Sequence, residues 1–121
     1  MTITMDKVLT ELQRAVPAFN SEWQDDDSTY LVFGDFRRFT CSEAEVLQYV
    51  DNEQEAAELS HAKECMAFIE QLFLNGDQDV HDLVLDCLEE LITCPWLANL
   101  KRYFGAQTSA AWVQHLSKFD K

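Results

Sequence analysis

Apolar side chains recur at helical spacing along most of the chain. Met5, Val8, Leu9, Leu12 and Val16 form one stripe, which predicts a helix over residues 4–16. Pro17 ends it, because the residue before a proline is pushed out of the helical region. Phe19 to Trp23 is a short segment that runs into Asp25-Asp26-Asp27. Three adjacent carboxylates repel one another, so an exposed loop is predicted there. Tyr30, Leu31, Val32 and Phe33 fit a short strand. Tyr30, Phe33, Phe36 and Arg37 also share a helical face, with Ser28 placed to cap it. The chain has no second β-rich segment, and a lone strand leaves its backbone groups unpaired. Residues 28–40 are therefore read as helix.

Ser42-Glu43-Ala44-Glu45 has the spacing of a capping box, which predicts a helix start near Glu43. Its inward positions are Val46, Leu47 and Val50, and Asp51-Asn52 interrupts it. One long helix is predicted over 53–75, with Cys65, Phe68, Ile69, Leu72 and Phe73 facing inward. Gly76 follows at the position where a left-handed cap suits glycine. The clearest element is 78–93. There Val80, Leu83, Val84, Cys87, Leu88, Leu91 and Ile92 keep to one face. Pro95 suits the first turn of another helix, with Trp96, Leu97, Leu100 and Phe104 inward and Gly105 ending it. Thr108 is placed to cap a last helix whose stripe is Trp112, Val113, Leu116 and Phe119.

This pattern predicts an all-α fold: a compact bundle of six or seven short amphipathic helices in one domain over 1–121. The pair 53–75 and 78–93 reads as a helical hairpin of the kind found in HEAT-like packing. No fixed-period repeat supports a true solenoid.

Composition sharpens the class. The chain has 121 residues, 22 acidic and 9 basic, and a net charge of −13. It is 47% hydrophobic, too apolar for a disordered acidic tail. No apolar run reaches the ~20 residues of a membrane span, and the N-terminal residues lack a secretory pattern. A cytoplasmic location is expected. A pI of 4.3 disfavours nucleic acid and anionic membranes as partners, and favours a basic protein. Four cysteines occur without a C-x-x-C pair. In the cytoplasm they are expected to remain thiols, with Cys65 and Cys87 acting as small buried hydrophobes.

The charge is uneven. Residues 21–60 carry −9, residues 61–99 carry −7, and residues 100–121 carry +3. No lysine or arginine occurs between Lys63 and Lys101. On the 78–93 helix, Asp79, Asp82, Asp86, Glu89 and Glu90 fall along one side. Like charges at this spacing repel by a few tenths of a kcal/mol each, and anions near a helix C-terminus oppose its dipole. A merely solvated face usually mixes both signs. These five carboxylates are the candidate partner-binding residues.

Other chemistry is thinly supported. His61 and Cys65 share a face, but zinc needs three or four ligands. Asp77-Gln78-Asp79 lacks the glycine and the distal glutamate of a calcium loop. His81 and His115 have no nucleophile fixed beside them by spacing. No cofactor and no catalytic residue is assigned. Phe33, Phe36 and Phe39, flanking Arg37 and Arg38, read as core covered by arginine stems, and Trp23 is an aromatic beside the acidic loop.

The stretch Phe68-Ile69-Glu70-Gln71-Leu72-Phe73-Leu74-Asn75-Gly76-Asp77-Gln78-Asp79-Val80, followed by Leu88-Glu89-Glu90-Leu91, resembles small helical immunity proteins of bacterial polymorphic toxin systems. Tyr30-Leu31-Val32-Phe33-Gly34-Asp35-Phe36 and Trp112 fit the same pattern, and the likeness spans residues 15–119. It implies a cytoplasmic, non-enzymatic inhibitor in bacterial competition. Such a protein binds a cognate toxin domain and covers its active site or substrate surface. It carries over no contact residue. The competing expectations are an acidic nucleic-acid mimic or other regulatory binding module, and an enzyme.

Overall fold

A computed structural model describes residues 2–19 and 28–116 of the chain. The expected acidic loop, Trp23 and Phe119 lie outside the described residues. Among the described residues the fold is all-α, with seven helices: α1 Met5–Ala15, α2 Thr29–Val46, α3 Glu53–Leu59, α4 Ala62–Asn75, α5 Gln78–Glu90, α6 Leu97–Lys101 and α7 Ala106–Ala111. Single 3-10 turns extend α2 (Leu47–Tyr49) and α5 (Leu91–Thr93), and a π-helical segment, Trp112–Leu116, extends α7.

The helix predicted over 28–40 is present and longer than expected. Ser28 caps it by accepting from the Tyr30 N–H at 3.2 Å. Val32, Phe33, Phe36, Thr40 and Ala44 give it one continuous buried stripe. That stripe runs through the apparent capping box, so no helix starts at Glu43. Nothing between Phe36 and Val46 breaks the helical hydrogen bonds, and Glu43 is used for another purpose.

The chain breaks where one helix was predicted over 53–75. Ser60 is extended, separating α3 from α4. Its hydroxyl donates to the Glu43 carbonyl at 2.9 Å and accepts from the Ala62 N–H at 3.1 Å. The Glu43 carboxylate accepts from the His61 N–H at 2.7 Å. The backbone groups freed by the break are thus satisfied by a residue of α2.

α4 is the central element and packs against α1, α2, α5, α6 and α7. Phe36 and Phe68 are almost fully buried and meet edge to face at 5.9 Å, with Phe19 and Phe33 each 5.5 Å from Phe36. α4 and α5 form the expected hairpin, its first helix starting at Ala62. Asp77 caps α5 by accepting from the Val80 N–H at 3.0 Å. Gly76 is not left-handed. It is extended, at φ −76° and ψ 151°. A Cβ there would lie 2.5 Å from both the Leu72 carbonyl oxygen and Val80 Cγ1, so glycine is required by space. Ile3 pairs with this turn: its N–H donates to Asn75 O at 2.7 Å and its carbonyl accepts from the Asp77 N–H at 3.0 Å.

Pro95 precedes α6 by two residues, and Leu100 is the buried anchor of that helix. Asn99 ties α6 to α2 by donating to Ala44 O at 3.0 Å. The last helix begins at Ala106, and Thr108 is buried within its first turn rather than capping it. Glu70 of α4 supplies the cap, accepting from the Gln107 N–H, the Thr108 N–H and the Thr108 hydroxyl at 2.9, 2.8 and 2.9 Å. Trp112 and Leu116 face inward, but Val113 is 70% exposed. The i→i+5 pairing of a π-helical turn rotates the face away from ordinary helical spacing.

The cysteines differ from expectation. Cys41 of α2 and Cys94, just beyond the 3-10 turn after α5, form a disulfide across 53 residues of sequence. Packing brings their Cα atoms to 5.9 Å, within bonding range, and no short-range spacing announces it. Cys65 and Cys87 are buried free thiols, as predicted.

Candidate protein-binding groove

All five predicted carboxylates of α5 are exposed. At about 100° per residue, Asp79, Asp82, Asp86, Glu89 and Glu90 occupy an arc of roughly 100° opposite the buried stripe. The arc is a ridge between two hollows, so the five do not line one site. Asp86, Glu89 and Glu90 border a groove of about 590 Å³ between α2 and α5. Asp82 borders a hollow of about 270 Å³ on the other side, with His81 and His115. Asp79 lines neither.

The larger groove has apolar walls below an acidic rim. Phe33 and Gly34 of α2 face Leu83 and Cys87 of α5, and Tyr30 stands at the edge, 55% exposed. Leu31, 69% exposed, lies beside Tyr30 in the chain. The helical stripe of α2 buries Phe33 and leaves Tyr30 accessible, because Tyr30 sits at the first turn, beyond the reach of the core.

The carboxylates have different surroundings. Glu90 Oε2 lies 2.7 Å from Arg37 Nε of α2. That nitrogen is buried and not directed along a hydrogen bond, so the contact is an ion pair. Asp82 accepts from Gln78 Nε2 at 3.0 Å, a neutral donor. Asp79, Asp86 and Glu89 make no ion pair among the described residues. Thus one anion of the five is neutralised inside the molecule, and the two next to it on the groove rim are not.

The groove is poorly equipped for nucleophilic chemistry. Burial pushes the Cys87 thiol up to about 12, with the nearby Glu90 charge adding to the effect. It remains protonated at neutral pH, and the thiol is the weak form of the nucleophile. Burial likewise pushes Cys65 up to about 12. His81 packs edge-on against Phe73 at 5.8 Å, and His61 lies 3.4 Å from Glu64. No cluster of three metal-ligating side chains occurs among the described residues. No helix among them is long and apolar enough to cross a membrane.

Two parts of this site were not legible in the sequence. The α2 wall, Tyr30, Phe33 and Gly34, is some fifty residues from α5 and carries no local signal of the pairing. The sequence casts Arg37 as a cover for the aromatic core. Its only sequence signal was a cation in an otherwise acidic region.

Fold and groove together define an all-α domain with an acid-rimmed, apolar-walled cleft between two of its helices. The chain belongs to the family described as Domain of unknown function (DUF7674), which matches residues 9–119. No curated protein and no solved structure shows significant similarity to the chain.

Proposed function

We propose that the protein is a binding inhibitor that docks a basic partner on the α2–α5 groove. Following the sequence resemblance, we infer that the partner is a bacterial toxin domain and that the protein is its cytoplasmic immunity protein. One observation supports the reading: Asp86 and Glu89 stand at the rim of an apolar cleft and make no ion pair among the described residues. Retaining unpaired anions on a well-formed helix is disfavoured, and an incoming cation removes the penalty. The apolar wall would take a side chain of the partner while the rim steers the encounter and fixes its register. With a net charge of −13, association is fast at low salt and slows as salt screens it. Inhibition in this reading is steric, and no group of the protein reacts.

The test asks first whether the gene immediately upstream encodes a protein with a basic C-terminal domain, whose absence would count against the proposal, and then co-expresses that domain with this chain. The wild-type chain should restore growth, and the Asp86→Lys/Glu89→Lys variant should fail to do so while remaining folded. Full protection by that folded variant, or none by the wild type, would remove the proposal. Binding of the wild type to DNA-binding proteins as a class would favour a nucleic-acid mimic instead.

A further inference from the structure

The groove walls are joined covalently at one end. Cys41 lies one turn beyond Arg37 on α2, and Cys94 lies four residues beyond Glu90, so the disulfide closes the same end of the groove as the Arg37–Glu90 ion pair. It anchors the segment between α5 and α6 to α2. The Asn99–Ala44 hydrogen bond also ties α2 to this region. The bond is also reachable. A separate hollow of about 360 Å³ is lined by both cysteines together with Arg37, Arg38, Ser42 and Pro95. Cys41 is half-buried and Cys94 is 8% exposed. The two remaining cysteines are buried on α4 and α5, away from any bond.

We propose that Cys41–Cys94 is a reversible redox site, opened by a dithiol reductant entering this hollow, and that its opening releases the 91–96 segment from α2 and loosens the acidic groove. The step is a thiol–disulfide exchange. A thiolate of the reductant attacks the sulfur of Cys41, the more exposed of the two residues, forming a mixed disulfide and expelling the Cys94 thiolate, which takes up a proton. The second thiol of the reductant then attacks its own sulfur in the mixed disulfide and releases Cys41. In total two electrons and two protons pass to the protein, and the reductant becomes a disulfide. Arg37 and Arg38 line the approach together with the carboxylates of Glu45 and Glu90, Arg37 being paired with Glu90 and Arg38 with Asp35. The reverse reaction needs a small-molecule disulfide such as oxidised glutathione. In the reducing compartment proposed above, a disulfide of this kind is transient and reports redox state. The chemistry itself does not depend on what the groove binds, so a failure here leaves the docking proposal standing.

The full chain, equilibrated with oxidised glutathione and then with dithiothreitol, provides the test. Quenched alkylation and mass spectrometry should find no labelled cysteine in the oxidised protein. They should find two in the reduced protein, Cys41 and Cys94, with Cys65 and Cys87 protected and the helical circular dichroism unchanged. Amide exchange over residues 37–46 and 88–99 should quicken at least fivefold on reduction. Cys41→Ser/Cys94→Ser should reproduce the fast pattern without reductant. The proposal is overturned if the disulfide does not form under excess oxidant. Simultaneous labelling of all four cysteines on reduction, or exchange rates equal in the two states, would overturn it as well.

Discussion

Glu70 is the side chain through which α4 holds the end of the chain in place, and removing it isolates a single physical effect. Its carboxylate accepts two backbone N–H bonds from the first turn of α7 and one from the Thr108 hydroxyl. Thr108 is fully buried. Glu70→Ala removes a cap, at about 1 kcal/mol, and leaves a buried hydroxyl unsatisfied, at about 1–3 kcal/mol. The expected loss is about 2–4 kcal/mol. At roughly 4 °C per kcal/mol for a domain of this size, the melting midpoint should fall by about 8–16 °C. Gly105 supplies the control. A Cβ there would lie 2.4 Å from Glu70 Cδ and 2.5 Å from Oε1, so alanine must displace the carboxylate and break the same cap. Gly105 itself is extended at φ −79°, which alanine tolerates. Gly105→Ala should therefore destabilise by about as much as Glu70→Ala. In the Glu70→Ala background it should change stability by less than about 0.5 kcal/mol, giving strong coupling in a double-mutant cycle. Burial raises the Glu70 pKa, but the bonds from Thr108 N–H, Gln107 N–H and the Thr108 hydroxyl outweigh it and hold the carboxyl below its ordinary 4.5. A depressed folded pKa means that the contribution is complete above 4.5 and is lost as pH falls through the folded value. Glu70→Gln should flatten that part of the acid-stability curve. Urea melts of the four variants at pH 7, repeated under acid conditions, measure all of this. Additive effects of the Glu70 and Gly105 substitutions would refute the reasoning.

Gly76→Ala should destabilise by about 1–3 kcal/mol, because its Cβ meets a backbone carbonyl and Val80 rather than a movable side-chain end; a urea melt within 0.5 kcal/mol of wild type would be inconsistent with the turn described. Phe36→Ala removes the ring that Phe19, Phe33 and Phe68 surround and should cost about 3–5 kcal/mol by chemical denaturation. Reducing Cys41–Cys94 opens a 53-residue loop, for which chain entropy gives about 4 kcal/mol; urea midpoints with and without dithiothreitol should differ accordingly, the reduced protein remaining folded.

Much of the fold can be read from the period of apolar residues. α1 and α5 stand out because each buries one narrow face while its neighbours in sequence are polar. The segment at 28–40 is ambiguous by period alone, and the absence of any partner strand resolves it correctly as helix. The misreadings share one cause, which is that the deciding partner is remote. Ser42-Glu45 has the spacing of a helix start, yet Glu43 reaches eighteen residues forward to the His61 N–H, and that bond is what allows the chain to break at Ser60. Thr108 resembles a cap but is itself held by Glu70, thirty-eight residues earlier. Gly76 does serve as the turn glycine, but through close packing rather than handedness. For the site, the acidic arc of α5 was legible. Its division between two hollows was not, nor was the Arg37 ion pair or the disulfide, because each depends on how α2 lies across α5.

The central proposal is that Asp86 and Glu89, which make no ion pair among the described residues, meet a cation of a protein partner. Isothermal titration of the proposed basic partner domain into the wild-type chain, Asp86→Lys/Glu89→Lys and the charge-matched control Glu58→Lys/Glu64→Lys tests it directly, since all four positions are exposed. The account predicts at least a tenfold loss of affinity for the rim variant, about 1.4 kcal/mol, with a weaker salt dependence and little change for the control. Equal affinities for the two variants would contradict it.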